Sequence, residues 1–224
     1  KGVRQERRML MKKGCILCLL ISVISLPLIA QNIIYSNLKE LLTQHGDTTA
    51  VLRVEKRSRN QIVLTGGADY RITAGDDESM CRRLKKRCFA VRDEKGNLYL
   101  NCRKLRYKKL RFGAWYAPAV QLGKNIYFCA MPLGSVIGGN FVEEDDVKLG
   151  GNIGDALAAS SLVTKRVCYE LNGETGKVDF LGKDRMLQLL KNYPELKQAY
   201  LKDDSQEAKH TFKYLLELQN KQKK

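Results

Sequence analysis

Apolar positions along this chain follow three rhythms in succession. Residues 15–29 form a continuous apolar run broken only by Ser22, Ser25 and Pro27. Between about residues 50 and 181 the apolar residues come in short runs separated by glycine, the pattern of half-buried strands. From Asp184 onward they recur every three or four residues, the helical period. Three β-hairpins are predicted in the middle region. The first joins residues 88–92 to residues 97–103 across Asp93-Glu94-Lys95-Gly96, with Gly96 supplying the left-handed position. The second runs from 113–121 to 125–131 around Gly123, and the third from 166–171 to 177–181. Residues 61–65 and 70–73 read as further strands, and residues 35–42 as a short helix with Ser36 as its cap. The third rhythm predicts helices over 184–192, from Pro194, and from Ser205. The last carries an apolar stripe of Ala208, Phe212, Leu215 and Leu216.

The fold class expected from this order is α+β: a twisted antiparallel sheet of hairpins with a C-terminal helical segment packed on it or beside it. The domain reading is 1–30 as a signal segment with an upstream extension, 31–182 as a β-rich domain, and 183–224 as the helical segment. Within the β-rich domain, residues 134–161 are rich in Gly, Ala and Ser and form a connector. Gly150, Gly154 and Ala158 at four-residue spacing suggest close helix packing inside it.

The first run changes the picture through its flanks. Arg7, Arg8, Lys12 and Lys13 precede it, Met9 and Met11 are both plausible starts, and Ala30-Gln31 follows a helix-breaking Pro27. Positive region, apolar core and small-residue end are in signal-peptide order. Its 15 residues fall short of the roughly 18 needed to span a bilayer. Export with cleavage near Ala30 is therefore expected, to the periplasm or the extracellular space, with no transmembrane span in the mature protein. Cys15 and Cys18, a Cys-x-x-Cys pair, fall inside the discarded segment.

Charge narrows the partner. The chain has 40 Lys and Arg against 24 Asp and Glu. Residues 53–111 hold 18 of the former and seven of the latter, so this stretch contains the whole basic excess of the chain beyond residue 30. Such a one-sided field attracts anions. Its densest part interleaves cations with aromatics, giving Arg103, Lys104, Arg106, Lys108, Lys109, Arg111, Trp115 and Tyr116 as candidate anion-binding residues. An edge strand guarded by Lys and Arg would have the same appearance.

Five cysteines lie beyond Ala30, namely Cys81, Cys88, Cys102, Cys129 and Cys168. The odd number leaves at least one thiol unless two chains join. Cys88 and Cys102 are expected to stay unjoined, because pairing Val91 with Leu98 and Phe89 with Leu100 buries the apolar side chains together and turns the two cysteines to opposite faces. No cofactor, metal site or catalytic set is expected. His45 and His210 are the only histidines. Asp76-Asp77-Glu78 and Glu143 to Asp146 lack the alternation of a calcium loop and read as solvated loop charge.

Several segments bear a resemblance: Asp69-Tyr70-Arg71, residues 98–107, Met131-Pro132-Leu133-Gly134, residues 150–155 and residues 189–196. On these the chain resembles a family of uncharacterised exported proteins from Bacteroidetes. The resemblance supports export and implies no activity or site residue. The expected function is a non-enzymatic envelope protein, binding or structural, with a basic surface for an anionic glycan, lipid head group or acidic protein. A nucleic-acid-binding protein and an enzyme whose site assembles only in the fold are the alternatives.

Overall fold

The computed structural model describes residues 31–49, 51–133, 136–137, 140–141, 165–203 and 207–223. The expected signal segment, the acidic run from Glu143 and the small-residue spacing at Gly150, Gly154 and Ala158 lie outside these residues.

A compact unit begins at Gln31. Its strands are β1 (Asn32–Tyr35), β2 (Asp47–Thr49), β3 (Arg53–Lys56), β4 (Tyr70–Thr73), β5 (Ala90–Arg92), β6 (Leu98–Asn101), β7 (Arg106–Tyr107), β8 (Leu110–Arg111), β9 (Tyr116–Leu122), β10 (Asn125–Ala130), β11 (Val136–Ile137), β12 (Asn140–Phe141), β13 (Val167–Leu171) and β14 (Val178–Phe180). The helices are α1 (Leu38–Thr43), α2 (Arg59–Thr65), α3 (Glu78–Lys86), α4 (Lys183–Leu189), α5 (Pro194–Lys202) and α6 (Ala208–Gln222). The main sheet runs β14-β13-β10-β9-β6-β5-β1-β2, and β3–β4 is attached to it through the pair Tyr70 and Tyr116. Every pairing is antiparallel. The architecture is the expected α+β class.

Both faces of this sheet are covered. One face carries Tyr35, Ala90, Leu98, Leu100, Ala117, Ile126, Phe128, Tyr169 and Val178 in a single cluster. Strands distant in the sheet order share that cluster, so the sheet curls around it. Leu38 and Leu42 of α1 lie against Gly176 and Gly173 in the β13–β14 turn, which is consistent with that curl. Phe112 fills the centre, its ring 4.8 Å from that of Tyr169 and 5.3 Å from that of Phe128. The opposite face is covered in two parts. The C-terminal helices pack on Val120, Tyr127 and Cys129, while Leu84 of α3 packs with Ile34, Val91 and Tyr99.

Double coverage explains the main departure from the expected register. The β5–β6 hairpin pairs Val91 with Tyr99 and Ala90 with Leu100, one residue away from the Val91–Leu98 pairing expected. The sequence argument assumed one buried face, and with both faces buried the alternation of apolar residues no longer selects the register. The turn selects it instead. The Asp93 carboxylate accepts hydrogen bonds from the amides of Lys95 (3.0 Å) and Asn97 (2.8 Å), and Gly96 takes φ +82°, closing a shorter loop than expected. This register opposes Cys88 to Cys102, yet both remain free thiols. Phe89 and Ala90, neighbours in sequence, both face the curled side, so alternation breaks there and Cys88 joins the opposite cluster from Cys102. Phe89 and Val91, expected on one face, lie on two.

Four segments differ from expectation for local reasons. Residues 61–65 are helical because Ser58 and Gln61 form a reciprocal capping box that starts α2. Asp77, read as loop charge, is the N-cap of α3 and accepts from the Met80 amide at 2.9 Å. The first helix starts later than expected and is capped by Asn37, with β1 before it. In α6 the buried stripe is Ala208, Thr211, Leu215 and Leu218 with Tyr214, and Leu216 faces solvent.

Candidate functional site

The β3–β4 hairpin, the side of α3 and the two loops flanking β6 and β9 enclose a cleft of about 390 Å³. Period-2 geometry sets its first wall: Arg53 and Glu55 share a face of β3, and Thr73 and Arg71 stand opposite them across the pair. The helix contributes Cys81 and Lys85, one turn apart on α3. Arg103 comes from the 3-10 turn Cys102–Lys104, which Asn101 caps by accepting from the Arg103 amide.

The floor is held by buried polar side chains. Asn101 is 1% exposed and donates to the carbonyl oxygens of Leu84 (3.1 Å) and Cys88 (2.8 Å). The Tyr116 hydroxyl donates to the same Leu84 carbonyl at 2.7 Å. Strands β6 and β9 are thereby tied to the last turn of α3, where Lys85 stands. A buried carbonyl without these donors would cost about 1–3 kcal/mol, so the spacing between Lys85 and Arg103 is structurally enforced.

Trp115 completes the cleft in a costly conformation. Its φ is +76°, in the left-handed region that a bulky side chain rarely adopts. Its carbonyl accepts from Cys102 at 2.9 Å, and that of Ala114 accepts from Ala68 at 2.9 Å. Gly67 makes the approach possible, since a Cβ there would lie 2.4 Å from the Ala114 oxygen. Two guanidinium groups stand over the indole, Arg57 at 5.0 Å and Arg71 at 5.8 Å. Arg57 is buried and donates to the carbonyls of Gly66, Ala68 and Gln61, so it is an anchor for the indole and for the end of α2. Burial lowers its pKa from the ordinary arginine value, with Asp69 opposing that shift.

Electrostatically the cleft is cationic on balance. Among the described residues none of Arg53, Arg71, Lys85 and Arg103 forms an ion pair with a carboxylate. Among the described residues Glu55 is the one acidic residue lining the cleft. A second, more open hollow is lined by Lys56, Arg57, Arg59 and Ile62, with Arg166 paired to Asp69. Of the eight candidates read from the sequence, Arg103, Trp115 and Tyr116 line the cleft. Tyr116 is buried, and burial raises the pKa of its hydroxyl. Lys104 shares the turn with Arg103, whereas Arg106, Lys108, Lys109 and Arg111 stand exposed on the β7–β8 hairpin. That hairpin is a separate two-stranded ribbon and not an edge of the main sheet. Arg53, Arg71 and Lys85 were missed. Alternation in residues 52–55 puts Arg53 and Glu55 on one face, but nothing local reveals that Arg71 and Lys85 come to oppose it.

The remaining sulfur chemistry is structural. Cys129 and Cys168 are directly opposed on β10 and β13 and form a disulfide, with Cα atoms 4.3 Å apart. Burial pushes the thiol of Cys88 up to about 11 and that of Cys102 up to about 12, which keeps both protonated at neutral pH. Cys81 is half-buried and lines the cleft with Glu55, while His45 and His210 lie elsewhere.

Fold and cleft together define an α+β protein in which a curled antiparallel sheet carries a cationic cleft beside helix α3. The chain belongs to the Family of unknown function (DUF6563), which matches residues 33–222. No curated protein and no solved structure matches it.

Proposed function

We propose that this chain is an exported, non-enzymatic binding protein of the cell envelope that holds an anionic partner on its basic surface, with the cleft around Trp115 as the centre of that surface. The observation that carries the reading is the set of four cations, from β3, β4, α3 and the turn after β6, brought to one cleft without ion-pair partners among the described residues. Folding cations together costs electrostatic free energy that an anionic ligand returns. The exposed Arg106, Lys108, Lys109 and Arg111 extend the basic field beyond the cleft. Support for export comes from the ordered pattern of residues 1–30 and from a disulfide, which persists in oxidising compartments. No helix among the described residues is long and apolar enough to cross a membrane.

The test is retention of envelope components by the immobilised chain. An anionic component should be retained at low salt and released as ionic strength approaches about 1 M, where the Debye length falls to about 3 Å. Replacing Arg53, Arg71, Lys85 and Arg103 together by Gln should abolish retention, and replacing Lys108 and Lys109 should weaken it less. Retention unaffected by salt or by the fourfold replacement refutes the reading. N-terminal sequencing of the exported product should begin at or near Gln31.

A further inference from the structure

The cleft's composition is more selective than its charge. Resting on the anion-binding reading above, we propose that its ligand is an acidic sugar residue, a hydroxylated ring bearing a carboxylate, within an anionic saccharide. Three features point to this class. First, the positive charge comes from side chains. The helix beside the cleft presents its flank, Cys81 and Lys85, while its N-terminus is capped by Asp77. Phosphate sites commonly use helix N-termini and clustered backbone amides, and the cations here are side chains, whose guanidinium groups bind a carboxylate in bidentate fashion as readily as a phosphate.

Second, Glu55 lines the cleft on the same strand face as Arg53 and opposite Arg71, yet closes no ion pair with either among the described residues. A carboxylate there repels a polyphosphate and accepts hydrogen bonds from ring hydroxyls, and the Thr73 hydroxyl adds a group that both donates and accepts. Third, Trp115, with Arg57 and Arg71 standing over its indole, lines the cleft in a left-handed backbone conformation. Strain of that kind persists where surrounding structure holds it and clusters at ligand sites. A volume of about 390 Å³ lies near the lower end of small-molecule pockets, roughly 300–1,000 Å³.

Trp115 is the only tryptophan of the chain, so its fluorescence reports the cleft alone. The experiment titrates the full chain at low ionic strength with galacturonate trisaccharide, neutral galactose trisaccharide and ATP. The acidic trisaccharide should change the fluorescence saturably and bind at least tenfold more tightly than either of the others. Arg71→Ala combined with Arg103→Ala, with an unchanged circular dichroism spectrum, should weaken it tenfold or more. Glu55→Gln should weaken the acidic sugar and tighten ATP, reversing the preference. If ATP binds the unaltered chain as tightly as the acidic sugar, the saccharide assignment falls and the anion-binding reading stands. If the neutral sugar equals the acidic one, the carboxylate assignment falls. If no anion alters the fluorescence or is retained by the immobilised chain, both readings fall together.

Discussion

At the scale of single residues, buried polar groups decide where the elements sit. Glu170 on β13 is the clearest case. Its carboxylate accepts from Asn125 (2.6 Å) and Tyr127 (2.9 Å) on β10 and from both Nε and Nη2 of Arg185 on α4, each at 2.8 Å. The bonds from Arg185 hold the Glu170 carboxyl below its ordinary pKa, against the effect of burial. A depressed folded pKa means that the stabilisation is complete above the unfolded value, about 4.3, and is lost as pH falls through the folded value. Arg185 is 42% exposed, so solvent screens the pair and its worth is modest. Glu170→Gln should therefore cost about 1–2 kcal/mol near neutral pH. The difference from the unaltered chain in urea unfolding should shrink steadily below about pH 4.

Between elements, the decisive contact is the crossing of two backbones at Gly67 and Ala114. Gly67 has φ +82° and no room for a side chain, because the obstacle is a carbonyl oxygen and not a movable side chain. Gly67→Ala should cost about 2 kcal/mol or more in stability. It should also shift the emission of Trp115, since the strained segment must move away from the lead-in to β4. An unchanged emission spectrum would show that Trp115 is positioned by something else. The β7–β8 ribbon illustrates the same scale differently. Its cations were conspicuous in the sequence, but Tyr107, Phe112 and Leu105 are the residues that dock it on the curled face. Docking fixes where those cations stand, and it leaves them outside the cleft.

For the molecule as a whole, the disulfide joins the strand before the long connector to the strand after it. Cys129 and Cys168 are separated by 39 residues, and closing a loop of that length removes about 4 kcal/mol of unfolded-state entropy. Reduction, or replacement of both by Ser, should lower the unfolding free energy by up to about 4 kcal/mol. Peptide mapping of the oxidised protein should recover the Cys129–Cys168 link and none between Cys88 and Cys102. The pairing was not legible in the sequence, since five cysteines allow many partners. Only the antiparallel register of β10 and β13 sets these two side by side.

The amino-acid sequence by itself determined what local rules can determine: the helices that follow the last strand, the hairpins at Gly123 and Asn172-Gly173, the helix starting at Pro194, and the stretch that holds the basic excess. Those features depend on periodicity, turn residues and composition, which act over a few residues at a time. Tertiary structure alone decided the β5–β6 register, because burial on both faces removed the one-sided pattern and left the Asp93 turn to choose. It also decided the membership of the cleft. Arg53, Arg71, Lys85 and Arg103 are as much as 50 residues apart in sequence and lie on four elements. Their meeting depends on non-local strand pairing and on the hydrogen bonds of Asn101 and Tyr116 to the Leu84 carbonyl, which no sequence period records.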